Sequence, residues 1–311
     1  MYIGIDLGGT NIAAGLVSED GKILCQASTP TMNERDAIEI VKDMATLVNK
    51  LAKEYEIGLS DIKGVGIGSP GSIDSENGVV VYSSNLKMEK FPLAKELNKL
   101  IGLPVTVDND ANCAAMGEYV EYESKVKDFI FITLGTGVGG GVILNGNMLH
   151  GFNGAAGEVG HTVIVTDGEP CSCGRKGCWE AYASVTGLIR QTKAAMEKNP
   201  DSLMHEYAKK EGAVTGRTSF DAAKAGDMAA QEVVNQYAVY VAEGIANLEN
   251  IFQPEMICIG GGISREGEYL VGPIRDFVSK NRYNKYMKKT EIVTAKLFNE
   301  AGIIGAAMIA R

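Results

Sequence analysis

The N-terminal part of the chain alternates short apolar runs with turn-forming residues. Apolar runs at residues 2–7 and 11–17 are joined by a Gly-Gly-Thr-Asn segment, and a third run follows the turn at Asp20-Gly21. This spacing predicts a three-stranded antiparallel meander. Residues 34–56 then repeat apolar positions every three or four residues, which predicts an amphipathic helix.

The middle of the chain continues with strands that end in glycine-rich or acidic turns. Residues 64–84 predict a buried strand, a glycine-rich turn and a hairpin. A strand at 105–107 leads into a helix through an Asp-Asn-Asp segment. A further strand, glycine-rich turn and strand end at Asn145-Gly146, the strongest short signal for a hairpin.

Beyond Glu180 the pattern is mainly helical. A long helix around residues 232–252 precedes a buried strand at 255–259. The last apolar run, residues 301–310, has the closely spaced small residues of a tightly packed helix, and we expect it to return to the first domain.

Length and composition allow two domains and argue against several classes of protein. The chain has 311 residues, 45% of them hydrophobic and 22% charged, and no apolar stretch of membrane-spanning length. The net charge of −9 opposes nonspecific binding to nucleic acid. No signal-peptide pattern opens the chain, and Cys25, Cys113 and Cys258 sit singly in apolar contexts, as buried thiols do. We therefore expect a cytoplasmic protein without nucleic-acid or membrane partners.

Two glycine-rich turns between strands are candidate phosphate sites. In the first, Gly8 and Gly9 would let backbone N–H groups approach a phosphate, and Thr10 would add a hydroxyl donor. Asp6 could hold a hydrated magnesium ion, although a tight hairpin with a buried Asp is the simpler alternative. Residues 135–140 form a second such turn, which suggests an internal duplication around one nucleotide. A dinucleotide-binding fingerprint is rejected, because no helix follows these glycines.

Asp110 and Asn109 are candidate ligand-site residues at the start of a helix. Open α/β sheets form ligand sites at the carboxyl ends of their strands, so the Asp110 carboxylate is expected to point into a cleft. Asn109 can donate and accept hydrogen bonds to a polyhydroxylated ligand. Alternatively, these side chains only cap the helix. The turn at Gly71 is expected beside a ligand, with a purely structural turn as the alternative.

Residues 158–180 concentrate the rarest residue types of the chain. Three of the six cysteines fall within eight residues, and one of the three histidines lies ten residues before the first of them. We predict a tetrahedral, structural zinc site with four ligands: His161, Cys171, Cys173 and Cys178. Unliganded cysteines in a surface loop are the alternative. An ordered loop would fix Glu158 and Glu180, which are otherwise ordinary surface glutamates.

The Gly-Gly-Gly-Ile-Ser segment at residues 260–264 lies between a predicted strand and a predicted helix. Glycines there suit a nucleotide's base and ribose, because a bulky side chain would block their approach. Close helix packing explains the same glycines equally well.

These motifs, in this order, resemble the ROK family of sugar kinases and regulators, most closely its bacterial glucokinases. The motifs are DLGGT at 6–10, NDAN at 109–112, LGTGVGGG at 134–141, ExGH at 158–161, CxCGxxGCxE at 171–180 and GGGIS at 260–264. The resemblance implies the actin-like, ribonuclease-H-like ATPase fold, with two α/β domains and an interdomain cleft. We predict a smaller domain of residues 1–112 and 299–311, and a larger one of residues 113–298 that carries the zinc loop.

The resemblance also implies roles for individual residues. Asp110 would be the catalytic base for transfer of a phosphoryl group from ATP to the 6-hydroxyl of glucose. The sugar would be bound by Gly71, Asn109, Asp110, Glu158, His161 and Glu180. Phosphates, magnesium and adenosine would be bound by Asp6, Gly8, Gly9, Thr10, Asn11, Thr136, Gly137, Gly261 and Gly262. His161 would contact the sugar with one ring nitrogen and zinc with the other.

The sequence does not decide which sugar is the substrate or which oligomer the protein forms. Glucokinases commonly follow an Asn-Leu pair with Pro-Gly-Trp, whereas Asn85-Leu86 is followed here by Lys87-Met88-Glu89. N-acetylmannosamine, N-acetylglucosamine, fructose and allose are alternative substrates, and polyphosphate is an alternative donor. A sugar-sensing repressor would carry a DNA-binding segment ahead of Asp6, which is residue six of this sequence, so we expect an enzyme instead. The acidic charge and the two glycine-rich turns disfavour a small zinc-dependent binding module. The family resemblance favours a homodimer or homotetramer.

Overall fold

The computed structural model describes residues 1–122 and 126–311 and contains thirteen strands and ten α-helices in that part of the chain. The strands are β1 Tyr2–Leu7, β2 Asn11–Val17, β3 Ile23–Pro30, β4 Val65–Ser69, β5 Ser72–Asp74, β6 Val79–Ser83, β7 Met88–Phe91, β8 Val105–Asn109, β9 Phe129–Leu134, β10 Val138–Leu144, β11 Asn147–Met148, β12 Met256–Gly260 and β13 Glu291–Thr294. The α-helices are α1 Ala37–Glu54, α2 Leu93–Ile101, α3 Asp110–Tyr122, α4 Glu180–Ala183, α5 Val185–Lys198, α6 Met204–Glu211, α7 Thr218–Lys224, α8 Met228–Phe252, α9 Glu268–Asn281 and α10 Ala301–Ile309. None of these helices is long and apolar enough to cross a membrane.

The chain forms two compact units. The first comprises Met1–Lys127, Gly141–Gly157 and Lys296–Arg311, and the second Asp128–Gly140 and Glu158–Ala295. This division differs from the predicted domain boundaries, because residues 113–127, 141–157 and 296–298 fall in the first unit. The difference has a physical reason in α3, which packs against α10 and β4 of that unit.

The first unit is built on a five-stranded sheet in the order β3-β2-β1-β4-β8. Strands β1, β2 and β3 form the predicted antiparallel meander, and β4 and β8 run parallel to β1. Apolar side chains of α1 and α2 share one core with the sheet, and α10 shares a second core with Tyr2 and Val17. The sheet is therefore covered on both faces, as its nearly continuous apolar strands require. A small antiparallel sheet, β5-β6-β7, belongs to the same unit.

Glycines let α10 approach its neighbours closely. A Cβ added at Gly4 of β1 would lie 1.8 Å from the carbonyl oxygen of Ile303, and one added at Gly66 of β4 would lie 1.7 Å from that of Ala306. Gly305 of α10 meets the backbone of α3 at Cys113 in the same way, at 1.6 Å. No side chain fits at these contacts. They fix α3, and with it Asp110 at its first residue, against the sheet.

The second unit contains most of a second five-stranded sheet, in the order β11-β10-β9-β12-β13. Strand β12 is parallel to both β9 and β13, and the unit boundary falls within β10. In both sheets the strands lie in the order third, second, first, fourth, fifth along the chain. This repeat agrees with the internal duplication suggested by the two glycine-rich turns.

Gly244 of α8 is expected to be intolerant of substitution. A Cβ added there would lie 2.0 Å from the ring of Trp179, which is fully buried and donates its indole N–H to the Tyr240 carbonyl. Gly244→Ala should lower the free energy of unfolding by about 1–3 kcal/mol, the usual cost of overpacking a core. In Gly272→Ala the methyl would meet only a Glu268 carboxylate oxygen at 3.9 Å, so this control should change stability less. Equal effects of the two substitutions on urea unfolding would contradict this account.

Candidate active site and metal centre

The predicted site residues are divided between the two units. The first unit contains Asp6, Gly8, Gly9, Thr10, Asn11, Gly71, Asn109 and Asp110. The second contains Thr136, Gly137, Glu158, His161, Cys171, Cys173, Cys178, Glu180, Gly261 and Gly262.

Asp110 is the first residue of α3 and follows directly on β8. The side chain of Asn109 caps this helix, because its Oδ1 accepts a hydrogen bond from the backbone N–H of Ala111 at 2.8 Å. The other end of the same amide donates from Nδ2 to the Gly71 carbonyl at 3.1 Å. Asn109 thus fills the capping role that was the alternative in the sequence, and it also ties the Gly71 turn to the start of α3.

Two carboxylates of the first unit influence one another. Burial raises the pKa of Asp110, although hydrogen bonds from Ala111, its own backbone and Asn109 oppose the shift. Burial, together with the negative charge of Asp110, raises the pKa of Asp6 to about 6. A carboxyl group with a raised pKa is suited to accept a proton near neutral pH, and in its ionised form it can bind a divalent cation.

Hydrogen bonds within the turn and from Thr31 order the first glycine-rich turn. Gly8 donates its N–H to the Asn11 carbonyl at 3.0 Å, and its own carbonyl accepts from the hydroxyl of Thr31 at 2.6 Å. The Thr31 N–H donates to the Thr10 carbonyl at 2.9 Å, while Thr10 and Asn11 themselves are exposed. A Cβ added at Gly9 would lie 3.4 Å from the Cβ of Asn85. These hydrogen bonds order the hairpin, and its exposed residues can present their backbone to a phosphate.

The Glu180 carboxylate accepts a hydrogen bond from the backbone of the second glycine-rich turn. The Val138 backbone N–H donates to Oε2 of Glu180 at 3.0 Å, and a Cβ added at Gly137 would lie 2.3 Å from the same oxygen. The Thr136 carbonyl accepts from the hydroxyl of Thr186 at 2.7 Å. The sequence gives no sign that Glu180 contacts this turn, since 42 residues separate it from Val138.

The four predicted metal ligands lie together in the second unit. The ligand atoms of His161, Cys171, Cys173 and Cys178 are all within 4.8 Å of one another. Nδ1 of His161 lies 3.6 Å from Sγ of Cys171, and the Sγ atoms of Cys173 and Cys178 are also 3.6 Å apart. Two atoms bound to one tetrahedral zinc at 2.0–2.3 Å would be separated by about 3.4–3.8 Å. The donor set and its spacing therefore fit a closed zinc site.

The cluster of His161, Cys171, Cys173 and Cys178 is connected to Glu180 and to α8. Oε1 of Glu180 accepts a hydrogen bond from the Ser172 hydroxyl at 3.0 Å and lies 3.8 Å from Sγ of Cys171. Trp179, between Cys178 and Glu180, is buried against Gly244 of α8. Glu158 is exposed and contributes its backbone carbonyl to the His161 N–H at 3.1 Å. Glu180 therefore joins the cluster to the second glycine-rich turn, whereas Glu158 resembles the surface glutamate of the alternative interpretation.

The glycines of residues 260–264 could serve either nucleotide contact or close packing, and the structure distinguishes between these two roles. Gly261 has a φ of +85°, and a Cβ there would lie 2.2 Å from the Leu134 carbonyl, so close packing against β9 accounts for it. An added Cβ at Gly262 would meet nothing within 4 Å. Packing does not account for Gly262, which leaves it as the better candidate for contact with a nucleotide.

Asp108 and His150 were not identified from the sequence. Nε2 of His150 lies 2.7 Å from Oδ2 of the buried Asp108, directly before the Asn109–Asp110 turn. The two residues are 42 positions apart, and no local spacing relates them.

Comparison with known proteins places the chain in a family. The model of the ROK family matches residues 2–311. The chain is 40% identical over 309 residues to a glucokinase of Thermotoga maritima, covering 99% of this chain and 96% of that protein. It is 39% identical over 313 residues to a glucokinase of Halalkalibacterium halodurans, covering 100% and 94%.

A solved structure gives the same result. A ROK family glucokinase from Streptomyces griseus, crystallised with glucose and AMPPNP, matches with a TM-score of 0.82 and 35% identity, covering 100% of this chain and 99% of that one. This protein belongs to the ROK family and has its two-domain, actin-like ATPase fold. The predicted family and fold class are thereby confirmed.

Proposed function

We propose that this protein is a glucokinase, which transfers the γ-phosphoryl group of ATP to the 6-hydroxyl of glucose. The observation that carries this proposal is the placement of Asp110, with its raised pKa, at the head of α3 in the same unit as Asp6 and the first glycine-rich turn. The similarity to glucokinases, one of them solved with glucose and an ATP analogue, supports the choice of both substrates.

Asp110 is the proposed catalytic base. As the glucose 6-oxygen forms a bond to the γ-phosphorus, its proton passes to the Asp110 carboxylate, and the bond from that phosphorus to the β,γ-bridging oxygen breaks to release ADP. Asn109 holds the start of α3 through its capping hydrogen bond, so Asp110 needs little reorganisation when sugar binds. Asn109, Gly71, Glu158, His161 and Glu180 are the proposed sugar contacts.

The glycine-rich turns are proposed to bind the nucleotide. Gly8, Gly9, Thr10 and Asn11, with Thr136 and Gly137, would surround the phosphates, and Gly261 and Gly262 would lie near adenosine. Asp6 would hold the magnesium ion, which supplies positive charge to the phosphates when it is bound. Both turns have backbone held by hydrogen bonds, which supports a preorganised phosphate site.

Zinc is proposed to be structural. His161, Cys171, Cys173 and Cys178 would use all four tetrahedral positions, so no position remains for a substrate. Nδ1 of His161 faces the cysteines, which leaves Nε2 for a sugar hydroxyl. The ion would thereby fix His161, and through Ser172 and Cys171 the Glu180 carboxylate.

Location and assembly belong to the same proposal. We place the enzyme in the cytoplasm, where ATP is available, and the six free cysteines are consistent with a reducing compartment. We also propose a homodimer or homotetramer, on family resemblance alone.

The proposal is tested by ADP release from ATP and magnesium over glucose, mannose, fructose, allose, N-acetylglucosamine and N-acetylmannosamine. We expect kcat/KM to be highest with glucose. A higher value with another sugar would keep the phosphoryl transfer and change the substrate. The absence of sugar-dependent ADP release across the panel would overturn the proposed function.

The pH dependence should show the raised pKa of Asp110. A base must be ionised to accept a proton, so kcat is high above the pKa of Asp110 and falls as the pH falls through it. Because burial raises that pKa in the free protein, the acid limb of kcat/KM should lie above the ordinary range of an aspartate. In kcat/KM, which reports the free enzyme, Asp6 should add a group that titrates at about 6. Both profiles, measured from pH 4.5 to 9, should decline at the acid end, and flat profiles would contradict this assignment.

A further inference from the structure

Asp108 is a buried carboxylate at the base of the proposed catalytic turn. Its side chain is 6% exposed and lies on β8, one residue before Asn109. Oδ1 accepts hydrogen bonds from the Asn109 N–H at 2.7 Å, from Nδ2 of Asn112 at 2.9 Å and from the Ser75 hydroxyl at 3.3 Å. This one carboxylate therefore hydrogen-bonds to the backbone that enters α3 and to a side chain in its first turn.

His150 holds the other oxygen of Asp108. Nε2 lies 2.7 Å from Oδ2, and because a carboxylate only accepts, Nε2 carries the proton. The imidazole is 37% exposed, so it can exchange protons with solvent. Its backbone carbonyl accepts from the Ala156 N–H at 3.1 Å, which ties the histidine into the 151–156 loop of the same unit.

We propose that His150 is a positioning residue for the catalytic base, acting through Asp108 on the Asn109–Asp110 turn, and that it acts most strongly when its imidazole is protonated. The inference rests on the proposed kinase function, in which Asp110 accepts the proton of the sugar. If His150 is removed, Oδ2 of the buried Asp108 loses the hydrogen bond from Nε2. The carboxylate is then free to turn away from Asn109 and Asn112.

The charges around the pair give this support a pH dependence. The hydrogen bond to Asp108 raises the pKa of His150 above the ordinary value of a histidine, against the opposing effect of burial. Burial raises the pKa of the Cys113 thiol on α3, and the negative charges of Asp108 on β8, Asp110 on α3 and Asp6 on β1 raise it further, so these three carboxylates lie near that thiol. The β5–β6 hairpin contributes the neutral Ser75. The charged pair is thus complete below the raised pKa of His150, and its charge is lost as the pH rises through that pKa.

The test compares wild type, His150→Ala and His150→Gln, with His205→Ala as the control. His205 is exposed in the second unit, and its Nε2 contacts the backbone carbonyls of Met196 and Asn199. With the preferred sugar, we expect His150→Ala to lower kcat by about 5- to 30-fold at pH 6.5, less than the ~10²-fold that a 1 Å misplacement can cost. KM for ATP should stay within about 2-fold, because the variant leaves the glycine-rich turns intact.

The pH profile separates positioning from simple loss of stability. The ratio of wild-type to His150→Ala kcat should be larger at pH 6.5 than at pH 9. His150→Gln keeps an N–H donor without a charge, so it should restore part of kcat, with a Gln-to-Ala ratio that is independent of pH. Equal kcat of wild type and His150→Ala from pH 6 to 9 would overturn the inference. A uniform loss at every pH without rescue by Gln would also overturn it.

A second measurement does not depend on turnover. In wild type, NMR should show His150 titrating above the ordinary pKa of a histidine, with the amide signals of Asn109 and Ala111 following the same titration, and both effects should be absent in Asp108→Asn. Titration at the ordinary pKa, or amides that do not follow it, would overturn the inference. Wild type without activity on any sugar would overturn the proposed function, and the NMR result would still decide the role of His150.

Discussion

Asp110→Asn is expected to lower kcat for glucose phosphorylation by about 10²- to 10⁴-fold, the usual contribution of a positioned acid or base. The substitution keeps the shape of the side chain, and its amide oxygen can still accept the Ala111 N–H that Oδ1 accepts at 2.9 Å. An amide cannot accept the proton of the sugar hydroxyl. The loss should therefore appear in kcat, while the dissociation constant of glucose, measured by calorimetry, changes little.

The control for this variant is Asp276→Asn, an exposed aspartate of α9 in the second unit. It removes the same charge from the protein far from Asp110 in the chain and should leave kcat unchanged. Near-normal turnover in Asp110→Asn, with unchanged glucose affinity, would show that another group accepts the proton.

Removal of zinc, or Cys173→Ala, is the second change with a large expected effect. Cys173 is exposed, so the substitution removes a ligand without leaving a cavity in a core. A structural zinc site contributes folding energy, so the loop that carries His161 and Glu180 should lose its order. We expect KM for glucose to rise by about 10-fold or more, in the range reported for perturbed metal sites. KM for ATP should rise less, although Glu180 also closes the second glycine-rich turn.

Metal analysis and a matched cysteine variant make this prediction specific. Wild type should contain one zinc per chain, and Cys173→Ala should lose most of it. Cys25→Ala changes a cysteine outside the cluster and should keep both zinc and KM. Fully active wild type without zinc would show that the cluster has another role.

Features determined by neighbouring residues could be predicted from the sequence. Alternating apolar positions identified the meander, and the strand leading into Asp110 was evident from an apolar run followed by capping residues. The proximity of His161, Cys171, Cys173 and Cys178 was predictable because the three cysteines fall within eight residues and the histidine lies only ten residues earlier. These features depend on neighbouring residues and not on how distant segments pack.

Contacts between distant segments could not be predicted in this way. Glu180 was identified as a sugar-site candidate, yet its bond to Val138 depends on how α4 packs beside the second glycine-rich turn. The pairing of His150 with Asp108 depends equally on the return of the 141–157 segment to the first unit. Periodicity assigns a residue to a face of its own element and does not identify its partner on another element.

The most direct test of the account is the identity of the product. Glucose, ATP and magnesium are incubated with wild type and with Asp110→Asn, and the phosphorus-containing products are assigned by ³¹P NMR. The account predicts glucose 6-phosphate and ADP in equal amounts from wild type, and a rate lower by about 10²-fold or more from the variant. ADP without a sugar phosphate, or phosphate on another hydroxyl, would contradict it.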